Sequence, residues 1–301
     1  MKPSNRQWAS PRRIVRLPAV LLLLASLALA CGGSDNYGGP SSATRSPDPE
    51  STRLQATGLI PERALADRPD DAPGPQIHLV YALPAGGTDR RLDIDGTIRT
   101  SFEAAQRWLS GGTGGRRLAL DTFGGEPDIS ALRLSRDDAG IQAEEAFARE
   151  AIEAELIAAG FDAPDKLYLV YYDGGSTYAC GSGAWPPVIE GSVAVLFLNG
   201  MPLDGAIQCG ANAFAAGPDA PSFWEFVAVH EIMHTLGFVA ECAPNETMNG
   251  HIAGPANDLM YEGEEETDLP KTLDGGHDDY FEAGIPGCPD LADSPYLAAA
   301  T

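Results

Sequence analysis

The stretch His230-Glu231-Ile232-Met233-His234 constrains this chain more than any other. Two imidazoles four residues apart converge when the segment is a helix, because positions i and i+4 share one face. Glu231, one step round, can reach a water on an ion held between them. Phe223, Trp224, Phe226, Val227, Ala228 and Val229, just before the motif, are apolar enough to bury such a helix. A buried imidazole needs a polar partner, and a metal ion supplies one. This is the H-E-x-x-H arrangement, in which two neutral imidazoles bind Zn²⁺ and the carboxylate takes a proton from a water whose pKa the metal lowers to about 7. The pattern predicts a helix over residues 222–238, with Ser222 as N-cap and Glu225 at capping-box spacing.

Apolar periodicity predicts strands at 77–83, 117–123, 129–134, 166–172 and 192–198, and further helices at 98–109 and 142–159. Strands and helices alternate up to the motif, and the chain after it is irregular. That indicates an α/β or α+β sheet domain followed by a loop-rich region.

The N-terminus reads as an address. Lys2, Arg6, Arg12, Arg13 and Arg16 precede an apolar run over 19–30 that is too short for a membrane span, so residues 1–30 are expected to be a secretory signal. Ala28-Leu29-Ala30-Cys31, followed by Gly32-Gly33-Ser34, resembles a bacterial lipoprotein signal, which implies a lipid on Cys31. The resemblance implies an exported protein, lipid-anchored to the outer membrane or cell surface, or otherwise secreted. Residues 31–75, rich in Gly, Ser, Pro and Asp, are expected to be a disordered tether to a catalytic domain over 76–301.

The chain has 20 Lys+Arg against 43 Asp+Glu, a formal net charge of -23. Taking away residues 1–30, which hold five basic and no acidic residues, leaves 15 against 43, a net charge of -28. No basic surface for nucleic acid can be assembled from this, and electrostatic adhesion to anionic lipid is disfavoured. The charge also disfavours acidic substrates. Cys180, Cys209, Cys242 and Cys288, an even set in an exported domain, suggest two disulfides. Of three connectivities, Cys180–Cys209 with Cys242–Cys288 is favoured, because each pair then lies on one side of the motif helix.

Read on to Ala240, the motif resembles that of the metzincin metalloproteases, H-E-x-x-H-x-x-G-x-x-H followed by a Met-turn. Gly237 matches, and Asn257-Asp258-Leu259-Met260-Tyr261 resembles the Met-turn. Ala240 stands where the third His belongs and cannot ligate. The resemblance is specific over 223–261 and loose over 76–261. It implies an α+β, metzincin-like zincin fold: a twisted mixed sheet, two long helices of which the second carries the motif, and an irregular, disulfide-held C-terminal subdomain. It also implies a zinc metalloendopeptidase acting on protein or peptide substrates, with Glu231 as general base and then proton donor. A monomer is expected.

His230 and His234 need a third partner. His251 is favoured, since it follows the flexible Asn249-Gly250 and lies between the helix and the Met-turn. A group of bacterial exported metzincin-like proteins resembles this stretch in Ala243-Pro244, Gly250-His251 and Asp258-Leu259-Met260. Asp258, Glu241 and His277 are the alternatives. His78 reads as a strand residue with an ordinary hydrogen-bond partner, and Tyr261 as a core aromatic. Asp274-Gly275-Gly276-His277-Asp278-Asp279 concentrates oxygen donors suited to Ca²⁺, though a solvated acidic turn is the simpler reading. Two other functions compete with peptide hydrolysis. One is an exported metal-binding lipoprotein that does not cleave peptides, motivated by Ala240. The other is a zinc amidase.

Overall fold

A computed structural model describes residues 63–203, 208–247, 249–263 and 270–299. The expected signal, Cys31 and the first part of the tether lie outside the described residues. The fold is a five-stranded, mostly parallel sheet in the order β5 (Ile129–Arg133), β1 (Gln76–Leu83), β6 (Lys166–Tyr172), β8 (Val193–Phe197), β7 (Gly181–Ser182). The first four are parallel, and β7 runs antiparallel to β8 at the edge.

β1, β6 and β8 are buried along their whole length, as near-continuous apolar strands covered on both faces must be. Side chains alternate between two cores. Leu79, Tyr81, Leu169, Tyr171, Ala194 and Leu196 face α1 (Thr97–Gly112) and α4 (Phe223–Thr235), the two longest helices. Val80, Tyr168, Val170, Val195 and Phe197 face α3 (Ala148–Ala158), with Ile152 and Leu156 completing that core. After α4 the described chain is irregular and ends in β9 (Leu297–Ala299). Two disulfides cross-link it, Cys180–Cys209 and Cys242–Cys288, the pairing favoured from chain order. Among the described residues no helix is long and apolar enough to cross a membrane.

Three elements differ from the periodicity reading. Residues 117–123 form two short strands outside the main sheet: β2 (Arg116–Leu118) pairs with β9, and β3 (Thr122–Phe123) with β4 (Glu126–Pro127). Between them Asp121 turns inward to accept hydrogen bonds from His78 at 2.6 Å and Lys166 at 2.7 Å. The helix expected over 142–159 is interrupted. A short α2 (Asp138–Gln142) precedes α3, because the Asp138 carboxylate ties it to Tyr172 and to the backbone of Gly175 at the end of β6. α4 stops at Thr235 rather than 238, for a reason given below.

Residues 63–75, expected at the end of the tether, are bound to the domain. Arg63 pairs with Asp89 and Asp93, Arg68 with Asp128, and Asp67 and Asp70 with Lys166. Ala64 bridges Ser130 on the outer edge of β5. Lys166 is only 4% exposed, so these contacts belong to the interior.

Candidate metal centre

α4 is positioned from its first turn. The buried Glu225 carboxylate accepts the N–H groups of Ser222 at 2.9 Å and Ala215 at 3.0 Å, and the hydroxyl of Ser101 from α1. Trp224, Ala228, Val229, Ile232 and Met233 bury one side of the helix in the core. His230, Glu231 and His234 line the cleft on the other side. The helix ends in a Schellman turn: the Gly237 N–H donates to His234 O at 2.8 Å, and the Phe238 N–H to Met233 O at 3.0 Å. Gly237 has φ +78°, a conformation that favours glycine and stops the helix three residues short of 238.

The chain then leaves the helix axis and returns at His251. Asn249 and Gly250, both at positive φ, turn it back. Hydrogen bonds from Ile252 N to Met260 O at 2.9 Å and from Glu262 N to Ile252 O at 3.0 Å lock this loop to the segment around Met260, which is fully buried. The result is a cluster of three imidazoles. The Nε2 atoms of His230 and His234 are 3.0 Å apart, those of His234 and His251 3.2 Å, and those of His230 and His251 3.3 Å. His230 Nδ1 is 2.8 Å from the Leu259 carbonyl, an acceptor, so the ring proton sits on Nδ1 and the Nε2 lone pair faces the cluster.

This donor set fits a tetrahedral metal ion. With ligand bonds of about 2.0–2.1 Å, tetrahedral neighbours lie roughly 3.3 Å apart. Three rings meeting at one point cannot satisfy one another by hydrogen bonds alone, because a proton on one Nε2 serves one neighbour at a time. Burial, reinforced by the neighbouring His251, pulls the His230 pKa down to about 4. Burial likewise holds His234 well below its ordinary value. Both rings are neutral near pH 7, as ligands must be.

Glu231 lies in the same cleft, 7% exposed, with its pKa pushed up to about 8 by burial, partly opposed by a hydrogen bond from the Gly183 N–H. The chain opposite is glycine because it runs against the motif. A Cβ at Gly181 would lie 2.3 Å from Glu231 Oε1, and one at Gly183 would lie 2.5 Å from the Glu231 carbonyl and 2.8 Å from His234 Cβ. The cavity has a volume of about 510 Å³, and Trp185 and Lys271 also line it. Sequence reading did not identify this wall. Gly181-Ser182-Gly183, two glycines one residue apart near a strand, is the signal that would have shown it.

The alternatives to His251 are placed elsewhere. Asp258 is buried and accepts the Met260 N–H and the Tyr280 hydroxyl, both at 2.8 Å, and the Gly275 N–H at 3.2 Å. It therefore builds the turn that presents Leu259 and Met260. Glu241 is exposed, and His277 pairs with Glu282 and stacks near Phe281. Tyr261 is half-buried and does not line the cavity. His78 is buried between Asp121 and Ser130, as an ordinary strand histidine. The carboxylates of Asp274, Asp278 and Asp279 do come together. Asp274 is nonetheless 1% exposed, and its oxygens accept the N–H groups of residues 278–281, so it braces the loop from inside rather than forming a solvated turn.

No family model matches the chain, and no curated protein matches its sequence. Among solved structures it is similar to wild-type OgpA from Akkermansia muciniphila, at 13% identity and a TM-score of 0.40 over 72% of this chain and 62% of that one. It is also similar to metalloproteinase-II from Bacteroides fragilis, at 18% identity and a TM-score of 0.34 over 74% of this chain and 57% of that one. The chain thus spans less than two thirds of the length of either.

Proposed function

We propose that this protein is a zinc-dependent metalloendopeptidase that works outside the cytoplasm. The observation that carries the reading is the convergence of three imidazoles with the buried side chain of Glu231 in one open cleft. His230, His234 and His251 would hold the metal. Zinc there supplies Lewis acidity, making a water more acidic and polarising a carbonyl. Glu231, next in the chain to His230 and held by the Gly183 N–H, stands where a group that takes a proton and returns it is needed. Glu231 removes a proton from the attacking water as the C–O bond forms, and passes it to the departing amide nitrogen as the C–N bond breaks. The Gly183 N–H holds the carboxylate in place through this exchange. β7, the sheet edge lining the cleft, offers backbone groups to an extended peptide, which favours peptide substrates over small amides.

The two disulfides support export, and the signal-like N-terminus supports a lipid on Cys31 that tethers the protein to the envelope. Ala240 motivated a metal-binding protein without peptidase activity. His251 beside the helix pair supports the peptidase reading over that alternative.

The test compares wild type with Glu231→Gln on an unstructured protein substrate, with bound metal measured for both. We expect one zinc per chain in each and a loss of turnover in the variant of roughly 100-fold or more. Equal cleavage by the two proteins rejects the mechanism. A wild type that takes up no zinc rejects the metal centre.

A further inference from the structure

Resting on the peptidase reading, we propose that the substrates are peptides of net positive charge whose cleaved bond is flanked by a large apolar side chain. Two independent observations lead there. The first is the character of the cleft wall. Tyr178, Val188 and Ile189 line the cavity yet are 65%, 61% and 38% exposed, and Phe226 joins them from α4. Backbone hydrogen bonds tie Met201 to Ser176 and Leu203 to Thr177, next in the chain to Tyr178, and Met201 is 64% and Leu203 86% exposed. Large apolar side chains clustered at one rim mark a place where apolar groups of a partner are covered.

The second observation is charge. The chain carries a formal net charge of -23. Among the described residues lining the cavity, the only carboxylate is Glu231 and the only lysine is Lys271. The acidic excess therefore lies outside this wall, whose charged side chains are one carboxylate and one lysine. Such a molecule attracts cations over long range, while its cleft selects apolar groups at contact. Long-range attraction of this kind accelerates encounter by 10-fold or more at low salt. The charge also weighs against the other apolar partner, an anionic lipid surface.

The test uses three quenched fluorogenic peptides of equal length with one central Leu-Phe pair, flanked by lysines, serines or glutamates. With zinc-loaded protein at low salt, kcat/KM is expected to fall at least about 10-fold from the lysine to the glutamate peptide. The gap should narrow to about twofold in 1 M NaCl, where screening acts within a few ångströms. A fourth, lysine-flanked peptide with a central Ser-Gly pair should be cleaved at least about 10-fold more slowly than its Leu-Phe counterpart. Equal rates across the charge series at low salt, or across the two central pairs, overturn the proposal. Binding to the Glu231→Gln protein, read by fluorescence anisotropy, separates this proposal from the peptidase reading. If no peptide is cleaved, tighter binding of the lysine-flanked Leu-Phe peptide by about 10-fold over the glutamate one still supports the recognition, and equal binding overturns it. Binding of anionic vesicles in place of that peptide, or a dimer that buries Tyr178, overturns it too.

Discussion

His251 reaches the cluster from a loop, so its aim depends on what holds that loop. Trp185 is a candidate brace: a Cβ on Gly250 would lie 2.4 Å from its Nε1, so the indole rests directly against the residue before His251. Trp185→Ala is expected to weaken zinc binding about 10-fold, with Trp185→Phe restoring most of it, whereas His251→Ala costs roughly 100-fold or more. Competition with a chromogenic chelator measures all three, and unchanged affinity in His251→Ala removes this histidine from the ligand set. The sequence made the helix pair legible because i, i+4 spacing is a geometric rule. It made His251 legible only by chain order, since nothing in Asn249-Gly250-His251 states where a turn will point. Asp258 was a reasonable rival on chemistry alone. What separates the two is that the Asp258 oxygens are taken up by Met260, Gly275 and Tyr280, and Tyr280 lies 22 residues away.

At the level of elements, the motif helix is set by its N-terminal contacts as much as by its packing. Glu225→Ala removes the acceptor for two backbone N–H groups and the Ser101 hydroxyl, and should lower stability by about 1–3 kcal/mol in urea titration. Gly183→Ala acts differently. Its added Cβ meets backbone of α4, so the edge strand or the helix must shift. The expected result is a folded protein by circular dichroism with turnover reduced at least about 10-fold, and full turnover would show that the strand can yield freely. The central strands were legible because β1, β6 and β8 are apolar runs with no competing reading. Residues 117–123 alternate like a strand, but Asp121 is needed inside by His78 and Lys166, and a sheet register cannot accommodate that turn. Residues 142–159 keep helical spacing across an interruption that depends on Asp138 reaching Tyr172, a contact no local pattern encodes.

The molecule as a whole is fastened by charges and cross-links outside the centre. A chain beginning at residue 76 would strip Asp67 and Asp70 from Lys166 and Arg68 from Asp128, and should lose roughly 3 kcal/mol or more in urea unfolding against the full chain. Acid loosens the same region. Burial opposes ionisation of Asp121, but hydrogen bonds from His78 and Lys166 outweigh it and hold its pKa below the ordinary value. A carboxylate depressed in the folded state stabilises above its unfolded pKa of about 4, and that contribution fades as pH falls through the folded value. Urea midpoints should therefore drop as pH is lowered below about 4, and a flat profile there would contradict the pairing. Cys242–Cys288 spans 46 residues and encloses His251, Asp258 and Met260, and Cys242 is exposed to reductant. Opening that loop should cost about 4 kcal/mol. On the metal reading, it also frees the one ligand that the helix does not carry. On the proposed peptidase and export readings the cross-link acts as a clock: a newly made chain in reducing surroundings would keep an open ligand loop, and its power to cut proteins would begin only after it had left the cell that made it.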